Sequence, residues 1–375
     1  MLPSSSGPSR PTRPRHADRV RMLAVVLEAP GRLVARAVDE PGGDGLVTVR
    51  VEQVGVCGTD RNVVDGAIPV SLPRIIGHEL VGRVLSGGGL PGAPARGAPA
   101  PGAPAPGAPA PGALAPGDRV LIDPSLSCGA CRTCRRGMRH LCPSGGLMGR
   151  DVDGGLAELV AVEAERLHRL PASMGLDDAA LLQVLGTCVH AQRQAPLFPT
   201  DRAVVVGLGV SGLLHVQLLR ARGARAVVGI GRSPEKRALA EALGATATCA
   251  PDDALGVVGE VTTGDGAELV VEAVGTPETV TRAVALAGYG ATLVVFGTAS
   301  GAGQVPLYEM YHKELTVLHP RAALGEDYDH AIDLIAAGAV RGAPLVSDRL
   351  SFTDAPATLS DWAAHPERLK VVFEP

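Results

Sequence analysis

The sequence predicts an α/β protein in two parts: a mostly-β domain, then a doubly wound parallel-sheet domain, with the end of the chain returning to the first. Three observations predict this. At 375 residues the chain exceeds the size at which a single hydrophobic core keeps growing. The run VTVRVEQVGV, residues 47–56, alternates apolar and polar side chains with the two-residue period of a half-buried strand, and similar short runs continue to about residue 170. From Asp201 onward strands alternate with helices, the pattern of a parallel sheet covered on both faces.

Taken in order, residues 1–21 (MLPSSSGPSRPTRPRHADRVR) have too little apolar surface to order themselves and read as a disordered tail, so globular patterning begins at Met22. Residues 87–116 carry GAPAPGAPAPGAPAPG, which offers neither ladder donors nor large side chains, and read as a low-complexity loop inserted in the first domain. After Asp201 come the strand AVVVGLG, a helix to Arg222, the strand AVVGIG and the helix PEKRALAEALGA. Ser233 is the expected N-cap of that last helix, with Pro234 in its first turn and Gly244 at its stop. Next are the strand ELVVEAVG, a helix expected over PETVTRAVALAGYG and the strand ATLVVFG, with a final helix near residues 327–338. The predicted division is 22–186 with 320–375 for the first domain and 187–319 for the second.

Composition narrows the function. Hydrophobic residues are 46% and charged residues 20%, ordinary values for a globular chain. A formal net charge of -4 leaves no basic footprint for nucleic acid. No stretch approaches 18 uninterrupted apolar residues and no secretory signal stands at the start, so a cytoplasmic protein without a membrane partner is expected.

Chemistry is concentrated in three places. Cys128, Cys131, Cys134 and Cys142 can wrap around one tetrahedral ion; four thiolates best fit zinc and leave no open position, so this is a structural site. His140, inside the same segment, is surplus to it and reads as a surface histidine. Gly207-Leu208-Gly209-Val210-Ser211-Gly212 matches G-x-G-x-x-G between a strand and a helix, the turn that presents backbone N–H groups to a pyrophosphate. At the end of the next strand, where NAD binding calls for a carboxylate, stand Gly231, Arg232 and Ser233; Arg232 with Ser233 forms a donor pair for a 2′-phosphate, and NADP is expected over NAD. The third set is dispersed: Cys57-Gly58-Thr59-Asp60, then Gly77-His78-Glu79, a thiolate, imidazole and carboxylate that suit a zinc ion with room for substrate.

These segments resemble the zinc-containing medium-chain dehydrogenase/reductase family, which includes alcohol, sorbitol, glucose and threonine dehydrogenases. The resemblance rests on VGVCGTD, IIGHELVGRV, PGDRV, the four-cysteine lobe, GGLAELV, VVVGLGVSG and KELTV, and spans residues 22–375. It implies a GroES-like catalytic domain, a Rossmann cofactor domain, two zinc ions per chain, and a homodimer or homotetramer. It also implies Cys57 and His78 as catalytic ligands, Glu79 as a direct ligand or one that exchanges with water, and Thr59 as proton relay, helped by Asp60 or Arg61. Relatives place a Cys, Glu or Asp where this chain has Gln183, a departure that leaves the fourth ligand open between this amide and water. Thr187, Val274 and Phe296 would border the nicotinamide and Arg321 would reach the pyrophosphate. The expected reaction is hydride exchange between NADP(H) and the secondary alcohol of a polyol, sugar or aminocyclitol, the partner being this small-molecule alcohol or its carbonyl product. Two other readings stay open: a metal-free NADPH-dependent reductase of an activated double bond, and a non-enzymatic NADP-binding protein.

Overall fold

The computed structural model describes residues 20–87, 114–298 and 303–375. Most of the expected tail and of the Pro/Ala/Gly loop therefore lies outside the described residues. The first strand spans Arg21–Ala29.

Val47–Gly55 is the central strand of the first domain. Val47, Val49 and Val51 are buried and Arg50 between them is exposed, the alternation read from the sequence. The strand pairs antiparallel with Glu79–Gly87, Leu159–Val162 and Lys370–Glu374. The last of these pairs parallel with Val346–Ser351, so the end of the chain completes this sheet. Arg119–Ile122 and Leu167–Arg169 extend the opposite side, and Arg32–Asp39, Arg21–Ala29 and Arg74–Ile75 form a separate three-stranded sheet.

The second sheet is parallel throughout, in the order Ala247–Cys249, Ala226–Ile230, Arg202–Val206, Ala267–Glu272, Ala287–Val295, Thr316–Leu318. The winding direction reverses between Arg202–Val206 and Ala267–Glu272, which opens a crevice at the carboxyl ends of those strands. Ser233 caps the Pro234–Ala242 helix as expected, its hydroxyl accepting the Lys236 N–H at 3.2 Å.

One boundary differs from expectation. The helix predicted to reach Gly290 ends at Leu286, and Ala287–Val295 is one strand. Glycine at 288 and 290 costs a helix about 1 kcal/mol per residue relative to alanine. Here the segment forms a bulge instead: Ala287 pairs with Ala267, Thr292 pairs with Leu269, and Gly290 takes φ of 72°.

The Leu182–Arg193 helix joins the two halves. Val81 and Leu121 of the first sheet, Leu182 and Leu185 of the helix, and Val205 and Leu213 of the second half share one buried cluster. Burying each of these side chains contributes roughly 1.5–3 kcal/mol, so the junction is a packed core and the crevice has a rigid floor. Polar clamps reinforce it. Gln217 both donates to and accepts from the Arg341 backbone, at 3.1 and 2.8 Å, and Asp178 accepts the Gly342 and Ala343 N–H groups at 2.7 and 2.8 Å.

Candidate active site and metal centres

The central strand of the first sheet ends at Gly55, and two residues later Cys57 caps the short Gly58–Val64 helix. Its thiol sulfur accepts the Thr59 N–H at 3.2 Å, and Asp60 accepts the Cys57 N–H at 3.1 Å. This reciprocal cap pins the thiol direction. The antiparallel neighbour starts at Glu79, which brings Gly77-His78-Glu79 beside it.

Cys57 Sγ lies 3.0 Å from His78 Nε2, and ligand atoms of Cys57, His78 and Glu79 all lie within 4.8 Å of one another. His78 Nδ1 faces Asp60 Oδ1 at 3.2 Å. A carboxylate behind the ring fixes its orientation and leaves Nε2 for a metal. Burial alone would lower the His78 pKa, but Asp60 and Cys57 on either side reverse this and hold it well above the usual imidazole range. Burial works against the charge on Asp60 too, yet His78 and the Cys57 and Gly77 N–H groups keep its pKa low. A pocket with such a negative field suits a divalent cation, and the donor set matches a zinc site open to substrate.

Asp60 is buried and bonded to Cys57, Gly77 and His78, with its carboxylate behind the His78 ring. Arg61 stacks over Trp362, 5.2 Å from the ring centre. Thr59 is half-buried beside the thiol. Gln183 is on the buried side of the Leu182–Arg193 helix, next to the Tyr328 hydroxyl, and Thr187 on the same helix donates its hydroxyl to the Val184 carbonyl at 2.6 Å. Sequence reasoning missed Lys370, whose Nζ reaches Glu79 Oε2 at 2.5 Å from the final strand. Nothing local signals that contact, since 291 residues separate the two.

The four-cysteine lobe converges as expected. Sulfur separations are 3.6 Å for Cys128–Cys142, 3.9 Å for Cys131–Cys142 and 4.0 Å for Cys128–Cys134. Four thiolates about 2.3 Å from zinc in a tetrahedron have edges of about 3.8 Å, so these residues fit the ion. Backbone N–H groups of Ala130 and Cys131 lower the Cys128 pKa to about 6, while burial pushes Cys134 up to about 11. His140 departs from the surface expectation. Its ring packs edge-on against His190 with centroids 4.7 Å apart, burial lowers its pKa to about 4, and it docks the lobe on the connecting helix.

At the crevice, Gly207 takes φ of 99°, and a Cβ there would meet Val274 at 2.5 Å. A Cβ on Gly212 would meet the Gly207 carbonyl at 1.8 Å, so helix and strand touch as the motif requires. Gly209 is the N-cap and Val210 the first residue of the Val210–Ala221 helix. Val274 is exposed at the next strand end, and Phe296 follows Val295 with its ring edge-on to His215. Arg232 is exposed beside Gly231, and among the described residues its guanidinium has no ion-pair partner. Ser233 donates its hydroxyl to Glu235 at 2.6 Å besides capping its helix. Arg321 is exposed, and its charge helps lower the His140 pKa.

Comparison with known proteins agrees with this architecture. Residues 43–172 match the family model of the alcohol dehydrogenase GroES-like domain, and residues 210–337 match that of zinc-binding dehydrogenase. L-threonine 3-dehydrogenase of Streptomyces coelicolor is 30% identical over 92% of this chain and 96% of its own length. 2-Dehydro-3-deoxy-L-galactonate 5-dehydrogenase of Pseudoalteromonas atlantica is 29% identical over 88% and 92%. A chain from Sinorhizobium meliloti 1021, assigned as a zinc-binding dehydrogenase and solved with NADP bound, superposes with a TM-score of 0.84 at 32% identity, covering 95% of this chain and 100% of that one. The two family matches follow one another in the order of the two sheets, and the chain belongs to the zinc-containing medium-chain dehydrogenase/reductase family, as an alcohol dehydrogenase.

Proposed function

We propose that the protein transfers a hydride between NADP(H) and the secondary hydroxyl of a polyol, sugar or aminocyclitol, using a zinc ion held by Cys57, His78 and Glu79. The observation that carries this reading is the His78 ring, set between the Cys57 sulfur and the Asp60 carboxylate with Nε2 directed at the thiol. When bound, zinc supplies a Lewis acid that acidifies the substrate hydroxyl and nicotinamide supplies the hydride acceptor. In this reading the Thr59 hydroxyl would relay the substrate proton, passing its own proton on toward solvent as it takes that one up, Asp60 holds His78 in place, and Gln183 stays outside the ligand set, beside Tyr328. Residues 22–186 with 320–375 bind the substrate, and 187–319 bind the cofactor across the crevice, with Thr187, Val274 and Phe296 at the nicotinamide and Arg321 toward the pyrophosphate. The substrate class draws support from the relative named for a sugar-acid dehydrogenation.

Arg232 carries the cofactor preference. An exposed guanidinium with no ion-pair partner among the described residues suits a 2′-phosphate, and the neighbour solved with NADP supports the same choice. Arg232→Asp is expected to shift the ratio of kcat/KM for NADP over NAD toward NAD by about tenfold or more. An unchanged ratio removes the 2′-phosphate role.

We also propose a cytoplasmic homodimer or homotetramer. Among the described residues no helix is long and apolar enough to cross a membrane. Tyr308 and Tyr311 are 77% and 81% exposed next to the edge strand Thr316–Leu318, aromatic surface of the kind that oligomers bury.

The test of the whole reading is zinc per chain together with turnover on a polyol and sugar panel with NADP. Two ions and oxidation of a panel member are expected. One ion, held by the lobe alone, favours the metal-free reductase reading instead.

A further inference from the structure

Glu79 and Lys370 are both shut off from water, with side chains 1% and 2% exposed, and the lysine Nζ also donates to the Val56 carbonyl at 3.2 Å. Their strands are not neighbours. Each flanks the central strand, in which Gly55 pairs with Glu79 on one side and with Val372 on the other. The ion pair therefore crosses over Gly55. A Cβ at that position would lie 2.4 Å from Glu79 Oε2 and 3.3 Å from Lys370 Cδ, so the bridge forms only because residue 55 has no side chain.

This contact bears on the metal. Glu79 is the one carboxylate in the Cys57–His78–Glu79 cluster, and one of its oxygens is held by a buried cation. A carboxylate so paired gives up less of its negative charge to a second cation, and its rotation is restricted. We propose that Lys370, reaching Glu79 across the gap at Gly55, is a positioning residue that restrains Glu79, lowers the affinity of the cluster for zinc and keeps the bound ion electrophilic toward the substrate hydroxyl. The proposal rests on the reading that this cluster holds zinc. Released from Lys370, Glu79 becomes a full anionic ligand, which tightens the ion and weakens its pull on the substrate hydroxyl.

The experiment follows release of the Cys57-site zinc from the holoenzyme to a chromogenic chelator, with melting temperature recorded for each variant. Lys370→Met is expected to slow this release by about tenfold or more while lowering kcat more than it changes KM. Lys370→Arg should keep the wild-type release rate. Gly55→Ala, which retains the lysine but displaces the carboxylate, should slow release as well, and it carries the test if Lys370→Met does not fold. The Glu79→Gln, Lys370→Met double variant should release zinc at the rate of Glu79→Gln alone. Release from a folded Lys370→Met or Gly55→Ala as fast as from wild type, with two ions bound at the start, overturns this proposal and leaves the proposed function standing. A wild-type protein that holds only the lobe ion overturns both.

Discussion

Replacing Cys57 with alanine is expected to remove one of two zinc ions per chain and nearly all turnover while the fold persists. The thiol supplies one of the three converging donors, and a catalytic metal contributes several kcal/mol to the transition state; at roughly 4 kcal/mol the rate falls about a thousandfold. The local structure survives because Asp60 still accepts the residue-57 N–H and still holds His78. Loss of the sulfur as acceptor for the Thr59 N–H removes part of a helix cap, worth about 1 kcal/mol. Elemental analysis and a steady-state assay check this directly. Retained turnover would take the metal out of the mechanism.

Cys134→Ser addresses the other cluster, and its expected effect is on stability. The lobe has little secondary structure, with one short helix, Arg132–Arg135, a single 3-10 turn and the Ser125–Leu126 and Gly146–Leu147 strand pair, so its sulfurs are what close it. Loss of a structural ion unravels such a segment and undocks His140 from His190. A fall in Tm on the order of 10 °C is expected, with the lobe zinc lost and the Cys57-site zinc kept. Scanning calorimetry beside metal analysis distinguishes this from the Cys57 variant, which should lose turnover at nearly unchanged Tm. An unchanged Tm in a protein that has lost the lobe zinc would show that the ion does not stabilise the lobe.

Much of the site was legible because its residues carry short-range rules. The four cysteines sit at spacings that let one loop bring their sulfurs together, and the distances of 3.6–4.0 Å follow. The glycine turn is legible because a backbone that must approach a helix within 1.8 Å of a would-be Cβ tolerates one residue type. Asp60 was harder. The family resemblance makes Asp60 a helper of the Thr59 relay, and only the arrival of Gly77 and His78 from another strand buries it against the histidine ring.

What the sequence by itself determined is the class of protein: the order of strands and helices, the four-cysteine cluster and the glycine turn, set by periodicity or by residues close in the chain, with the dispersed Cys57 and His78-Glu79 grouped by the family resemblance. The tertiary structure alone decided how those pieces act on one another. It laid one helix across both cores, docked His140 against His190, and set Lys370 on Glu79 over a gap at Gly55. The reason is physical. Hydrophobic periodicity records which face of an element is buried, but the neighbour on that face is chosen by sheet order and register, and a contact between residues 79 and 370 exists only once both strands flank the same third one.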